Sequence, residues 1–222
     1  MNIKHAVYSP QFKSNIKIVS PEDFNKMTWK ASCDDGMDEI FNYLLKDKYD
    51  SSDVKWKCYR TNAKNVLSEG VRSCIGGLVI DEKAKSAKLA MHVYDDENNF
   101  SRLSAFNPLL KGTNALLIGS RAQFEYSPKT FKYFEEKLNS NNVPISIFED
   151  LQNSWEVDFA YVAKTNDILL CIKDIMNPKK YVKSMDELLK AFKRVVVSKK
   201  DTLEFINSKE KIPKLASFAK RV

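Results

Sequence analysis

The chain has 222 residues, of which 43% are hydrophobic and 11% aromatic, enough to bury a sizeable core and too apolar for a disordered polymer. Its formal net charge is +7, but from Pro178 onward 13 Lys/Arg stand against 5 Asp/Glu, so the tail holds a surplus of +8 and the remainder is close to neutral. No run approaches the roughly 18 apolar residues of a membrane-spanning helix, and the basic residues do not interleave with aromatics as a nucleic-acid face would require.

The opening stretch, MNIKHAVYSPQFKSNIKIVS, has no apolar core of signal-peptide length, so Sec-type export is not expected, while a specialised secretion route stays open. SPEDFNKMTW opens a short helix after Ser20, with Pro21 at its first position. In DDGMDEIFNYLLKDKYD, Met37, Ile40, Phe41, Leu44 and Leu45 recur at helical spacing. DVKWKCYRT alternates, with Val54, Trp56 and Cys58 on one face of a strand.

The centre is rich in strand signals. CIGGLVI and AKLAMHVY are two apolar runs joined by the polar DEKAKSA, a hairpin with a long loop, and NALLIGS is a further buried strand. SPKTFKYFEEKLNSN reads as a helix capped by Ser127, with Pro128 first and Phe131, Phe134 and Leu138 as its apolar stripe. VPISIFED is a strand, and WEVDFAYVAKTNDILLCIKD is a hairpin turning at 164–167. In the tail, Ser184 and Glu187 form a capping box for one helix, and DTLEFINSKEK is expected to form a second. The order is a helical preface (1–60), a mostly antiparallel sheet with one strong helix (61–177), and a basic helical tail (178–222): an α+β protein.

Four cysteines are scattered at 33, 58, 74 and 171, with no C-x-x-C pair and no clustered histidines. Neither a zinc site nor a disulfide framework is expected, and reduced thiols fit a cytosolic-type compartment. Cys33, Cys58 and Cys171 have no nearby histidine and read as structural, and His5 reads as solvated. Cys74 and His92 differ, because they stand near the open ends of the two strands of one hairpin. Residues so placed can face each other across adjacent strands, where an imidazole can remove the proton of a thiol. Side-chain parity decides whether they share a face, and a bulge at Gly76-Gly77 would adjust it. Ser68 can return alongside as a hydroxyl partner. Ser73 and Cys74 follow Gly70 closely, so this stretch of backbone is a candidate oxyanion support. On spacing alone, a small buried cysteine and a satisfied core histidine are the more ordinary reading.

This segment resembles the chemoreceptor glutamine deamidase (CheD) family, whose pattern runs from a hydroxyl residue through Ser-Cys and a hydrophobic strand to a His near the end of the next strand. Here those positions read Ser68, Ser73-Cys74, IGGLVIDEKAK and AKLAMH. The likeness continues through ALLIGSRAQF, the Phe131 helix with its following strand, and the WEVDFAYV hairpin, covering roughly Thr61 to Asp174. It implies a layered β-sandwich flanked by helices and a Cys-His-hydroxyl triad that deamidates glutamine side chains of a protein. The same catalytic arrangement occurs in deamidase toxins of the cytotoxic necrotizing factor type. The resemblance assigns Cys74 as nucleophile, His92 as general base and acid, and Ser68 as the third member in place of Thr, with no cofactor and no metal. Arg72 stands where the family has Gly, and Ser120 where it has a second Gly.

The expected partner is thus a protein carrying a reactive glutamine, with no nucleic acid, and the basic tail offers contacts to acidic surfaces. The extra flanks point to an effector delivered into a host cell by a non-Sec route, with the bacterial cytoplasm as the other setting. A Cys-His protease or transglutaminase, or a non-catalytic binding module of the same fold, are the competing expectations.

Overall fold

The computed structural model of the chain describes residues 14–35, 38–39, 59–94, 103–104, 106–119, 129–152 and 154–206. In chain order the elements are β1 (Ser14–Val19), α1 (Pro21–Asp35), β2 (Asp38–Glu39), β3 (Tyr59–Ala63), β4 (Asn65–Val71), β5 (Cys74–Asp81), β6 (Ser86–Tyr94), β7 (Asn114–Ile118), α2 (Lys129–Ser140), β8 (Ile145–Leu151), β9 (Trp155–Val162), β10 (Asp167–Asp174), α3 (Met185–Ala191), β11 (Phe192–Val196) and β12 (Asp201–Ile206). The strands form two six-stranded sheets, one ordered β12-β1-β10-β9-β4-β2 and the other β11-β8-β7-β5-β6-β3. The protein is α+β.

The two sheets bury their facing sides against each other. Ile16, Val66, Phe159, Tyr161, Ile168 and Leu170 from the first sheet meet Leu78, Ile80, Leu116, Ile118 and Phe148 from the second in one apolar cluster. Each outer side is covered by a helix. The stripe Phe131, Phe134 and Leu138 of α2 lies on Ile75, Val79, Leu117 and Ile147 of the second sheet. Phe24 of α1 packs with Ala160, Leu169 and Cys171 of the first. A strand buried on both sides has no reason to alternate, so CIGGLVI is a continuous apolar run.

The expected hairpins form, as do the helices after Ser20 and Ser184 and the helix body bearing Phe131, Phe134 and Leu138. Ser20 caps α1, its Oγ accepting the Asp23 N–H at 3.0 Å. Ser184 caps α3 by accepting the Glu187 N–H, while the Glu187 carboxylate accepts the Lys183 N–H. No helix among the described residues is long and apolar enough to cross a membrane.

Three expectations are corrected. DTLEFI is not helical but the strand β12, which pairs in parallel with β1. Leu203 and Phe205 alternate onto the inter-sheet core, so the period is 2 and not 3.6. Phe192–Val196, read as helical tail, is β11 on the edge of the second sheet beside β8. The described part of the basic segment, 178–206, therefore carries α3 and then joins both sheets through β11 and β12. β1, from the N-terminal segment, lies between β12 and β10. Third, Asp38–Glu39 pair in parallel with Val66 and Leu67 where a helix was expected. The rest of that expected helix, the strand around Val54, Trp56 and Cys58, the Ser127-Pro128 cap and Ser120 lie outside the described residues.

Candidate active site

The ladder between β5 and β6 settles the parity of Cys74 and His92. Cys74 is opposite Tyr94, and Gly76 is opposite His92. Paired residues share a face and so do residues two apart, so Cys74 and His92 are diagonal neighbours on one side of the hairpin. That side faces inward, since Leu78, next along it, belongs to the inter-sheet core, while Ile75 and Val93 turn to α2. The pairing runs unbroken through Gly76 and Gly77, and the register shift falls between Val79 and Ile80. The glycine pair is therefore not the bulge expected there. It makes room: a Cβ on Gly76 would stand 2.8 Å from Phe159 Cε1 of the opposing sheet, and one on Gly77 would stand 2.5 Å from Met91 Cε.

Ser68 comes from the other sheet. It follows Val66 by two residues on β4 and so points inward as well. Its Oγ stands 3.0 Å from His92 Nδ1 in a buried hydrogen bond that spans the sandwich. Ser68 is 0% exposed, His92 2% and Cys74 5%. Ser73 is half-buried and Arg72 exposed, so Cys74 is the residue at which the chain enters the core. Burial pushes the His92 imidazole down to about 4, which keeps it neutral at pH 7. When its proton is on Nδ1 it donates to Ser68, and Nε2 is then the acceptor nitrogen of the ring.

The stretch between Ser68 and Cys74 is bent. Ser68 pairs with Phe159 and Val71 with Val157, so three steps on β4 match two on β9, a β-bulge. Gly70 lies in this bulge at φ +77°, a conformation in which a side chain is strained. Its N–H donates to Asp158 Oδ1 at 2.9 Å. Gly70 thus supports the backbone, but its N–H is already engaged and is no oxyanion donor. Asp158 and Glu156 sit on the outer side of β9, almost fully buried, with Lys173 of β10 between them and Arg72 on Glu156. Burial pushes the Asp158 carboxyl up, against the downward pull of Lys173 and the Gly70 N–H.

The sequence expectations do not include this charged cluster. Its signal is the alternation in WEVDFAYV, which places two acids on one side of a strand that is otherwise buried and so requires partners. Cys171 is also a free buried thiol, pushed up to about 12 by burial, then by the nearby Asp158, which makes it unreactive at neutral pH. Cys33 lies in the last turn of α1, its side chain outside the described set, as are Cys58 and His5.

Compared with known proteins, the chain matches no family model and no curated protein.

Proposed function

We propose that the chain is a protein-glutamine deamidase, a thiol hydrolase in which Cys74 is the nucleophile, His92 the general base and acid, and Ser68 the group that orients the imidazole. The observation that carries this reading is the Ser68–His92 hydrogen bond on the side of the hairpin that also bears Cys74. A nucleophile, a base and a group holding the base are the parts that thiol catalysis requires. The imidazole is unprotonated at rest and so able to take a proton, and the thiolate formed beside it strengthens its hold on that proton.

In this reaction Nε2 of His92 takes the thiol proton, and the thiolate attacks the side-chain amide carbon of glutamine. The tetrahedral intermediate collapses as the C–N bond breaks, and His92 returns the proton to the leaving ammonia. The resulting thioester is attacked by water, whose proton passes to His92. The C–S bond then breaks, and glutamate and the Cys74 thiol are regenerated. A lysine amine replacing water would give a cross-link, the transglutaminase outcome. The target is a protein, and the chain fits a bacterial effector or toxin delivered to a host cell by a non-Sec route.

One observation favours the second reading, a non-catalytic binding module: Cys74 is nearly enclosed, as a structural thiol would be. Incubating the wild type and Cys74→Ala with a cell lysate and mapping peptides by mass spectrometry separates them. Deamidation yields Gln-to-Glu changes that depend on Cys74 without backbone cleavage. Cys74-dependent cleavage would make the chain a protease, and identical maps for the two proteins would leave the binding module.

A further inference from the structure

We propose that Asp158 is a positioning residue for the Cys74, His92 and Ser68 site: by holding the Gly70 N–H it fixes the β4 bulge that turns both Ser68 and Cys74 inward. The inference rests on the reading of that site as a reacting one.

The argument is one of phase. In a regular strand, inward positions recur every second residue, so after Ser68 the next would be Gly70, and Val71 would face out. The extra residue at the bulge reverses this, and Val71 is buried in the inter-sheet core, its Cγ2 3.2 Å from where a Cβ on Gly76 would stand. The chain then crosses to the other sheet through Arg72 and Ser73 and enters β5 at Cys74 with the sulfur on the inward side. Losing the bulge shifts the phase between Ser68 and Cys74 by one residue, and one of the two must leave the site.

Asp158 is placed to prevent that. It lies on β9 between Val157 and Phe159, the two residues that bracket the bulge in the pairing, and its carboxylate bonds the Gly70 N–H that the bulge removes from the ladder. The groups around it complete a clamp. Lys173 bridges Asp158 and Glu156, and Glu156 holds Arg72, two residues before Cys74. Positions 70 and 72 are thus both tied to the outer side of β9. Asp158 lies on the outer side of β9 while Cys74 and His92 face inward, so it acts through the backbone.

The test is the pH dependence of Cys74 alkylation by iodoacetamide in the full chain, followed by mass spectrometry of the Cys74 peptide. An activated thiol gives a midpoint below the ~8.5 of an ordinary cysteine. Since Asp158→Ala alone leaves Lys173 short of a partner and risks unfolding, both variants carry Lys173→Met. Asp158→Asn/Lys173→Met keeps an acceptor for the Gly70 N–H and is expected to keep the wild-type midpoint. Asp158→Ala/Lys173→Met removes it and is expected to move the midpoint up to ~8.5, with reactivity at pH 7 falling about tenfold for each pH unit by which the midpoint rises. A merely structural role would instead loosen the core and speed alkylation in both variants with no difference in midpoint. Equal midpoints in the two variants overturn the positioning role while the wild-type midpoint stays low. A wild-type midpoint already at or above ~8.5 overturns the reacting site itself, and the positioning role with it.

Discussion

Ser68 Oγ and His92 Nδ1 stand 3.0 Å apart although one belongs to β4 of the first sheet and the other to β6 of the second. The pair is a polar contact across a largely apolar interior, and it lies at the end of the sandwich where Cys74 begins β5. A buried imidazole nitrogen left without its partner has no water to turn to, so the hydroxyl serves both stability and orientation.

Ser68→Ala removes that partner. In the proposed deamidation, turnover on a protein glutamine is expected to fall roughly 10- to 100-fold, the equivalent of one hydrogen bond to an imidazole that becomes charged in that reaction. Ser68→Thr keeps the hydroxyl and is expected to hold turnover near wild type. Initial rates of ammonia release for both variants check this, and equal rates in wild type and Ser68→Ala would remove Ser68 from the mechanism.

Gly76 and Gly77 are expected to respond differently to alanine. The Gly76 methyl meets the ring of Phe159, which is 0% exposed and has no free direction in which to move. Gly76→Ala is expected to lower stability by about 1–3 kcal/mol and to disturb the site, since His92 is directly opposite. The Gly77 methyl meets first the flexible end of Met91, so Gly77→Ala costs less. Urea unfolding midpoints rank the two, and the opposite order would show that Phe159 yields.

Two groups set opposing pH dependences. Asp201 bonds Ser146 and Asn114 and is pushed by burial from 3.8 up to about 6. The folded state therefore binds its proton more tightly than the unfolded chain, and stability falls as pH rises from about 4 to about 6. His92 is pushed down from 6.5 to about 4, so the unfolded chain binds its proton more tightly, and stability is lost as pH falls through the same window. Each contribution is on the order of 2–3 kcal/mol, and they largely cancel. Asp201→Asn is expected to uncover stability that climbs from about pH 4 to 6.5, and His92→Gln stability that declines from about pH 4 to 6. Urea midpoints measured across that range test both, and parallel curves for the two variants would refute the assignment.

The elements most legible in the sequence are those whose partners are close along the chain. The β5–β6 and β9–β10 hairpins are adjacent runs joined by polar turns, and α1 and α3 carry their own caps in Ser20 and Ser184. What escaped are strands whose partners lie far along the chain, such as β11, antiparallel to β8. Ser14 pairs with Asp201 and Asp38 with Val66, and nothing local in DTLEFI says that an open edge of β1 awaits it. Local signals for helix and strand in so short a segment are weak, and the edge that Leu203 and Phe205 cover decides between them.

The order of a hydroxyl, a thiol and an imidazole along 25 residues, and the two strands that carry the latter pair, were written in the amino-acid order alone, because chemical identity and short-range periodicity are local properties. Whether the three side chains look the same way was not. That depended on an extra residue in β4, on an uninterrupted ladder through two glycines, and on a carboxylate some ninety positions away that bonds one backbone N–H. Facing in a sheet flips with each single-residue step, so it is set by which strands pair and in what register, and pairing is a property of the assembled sandwich.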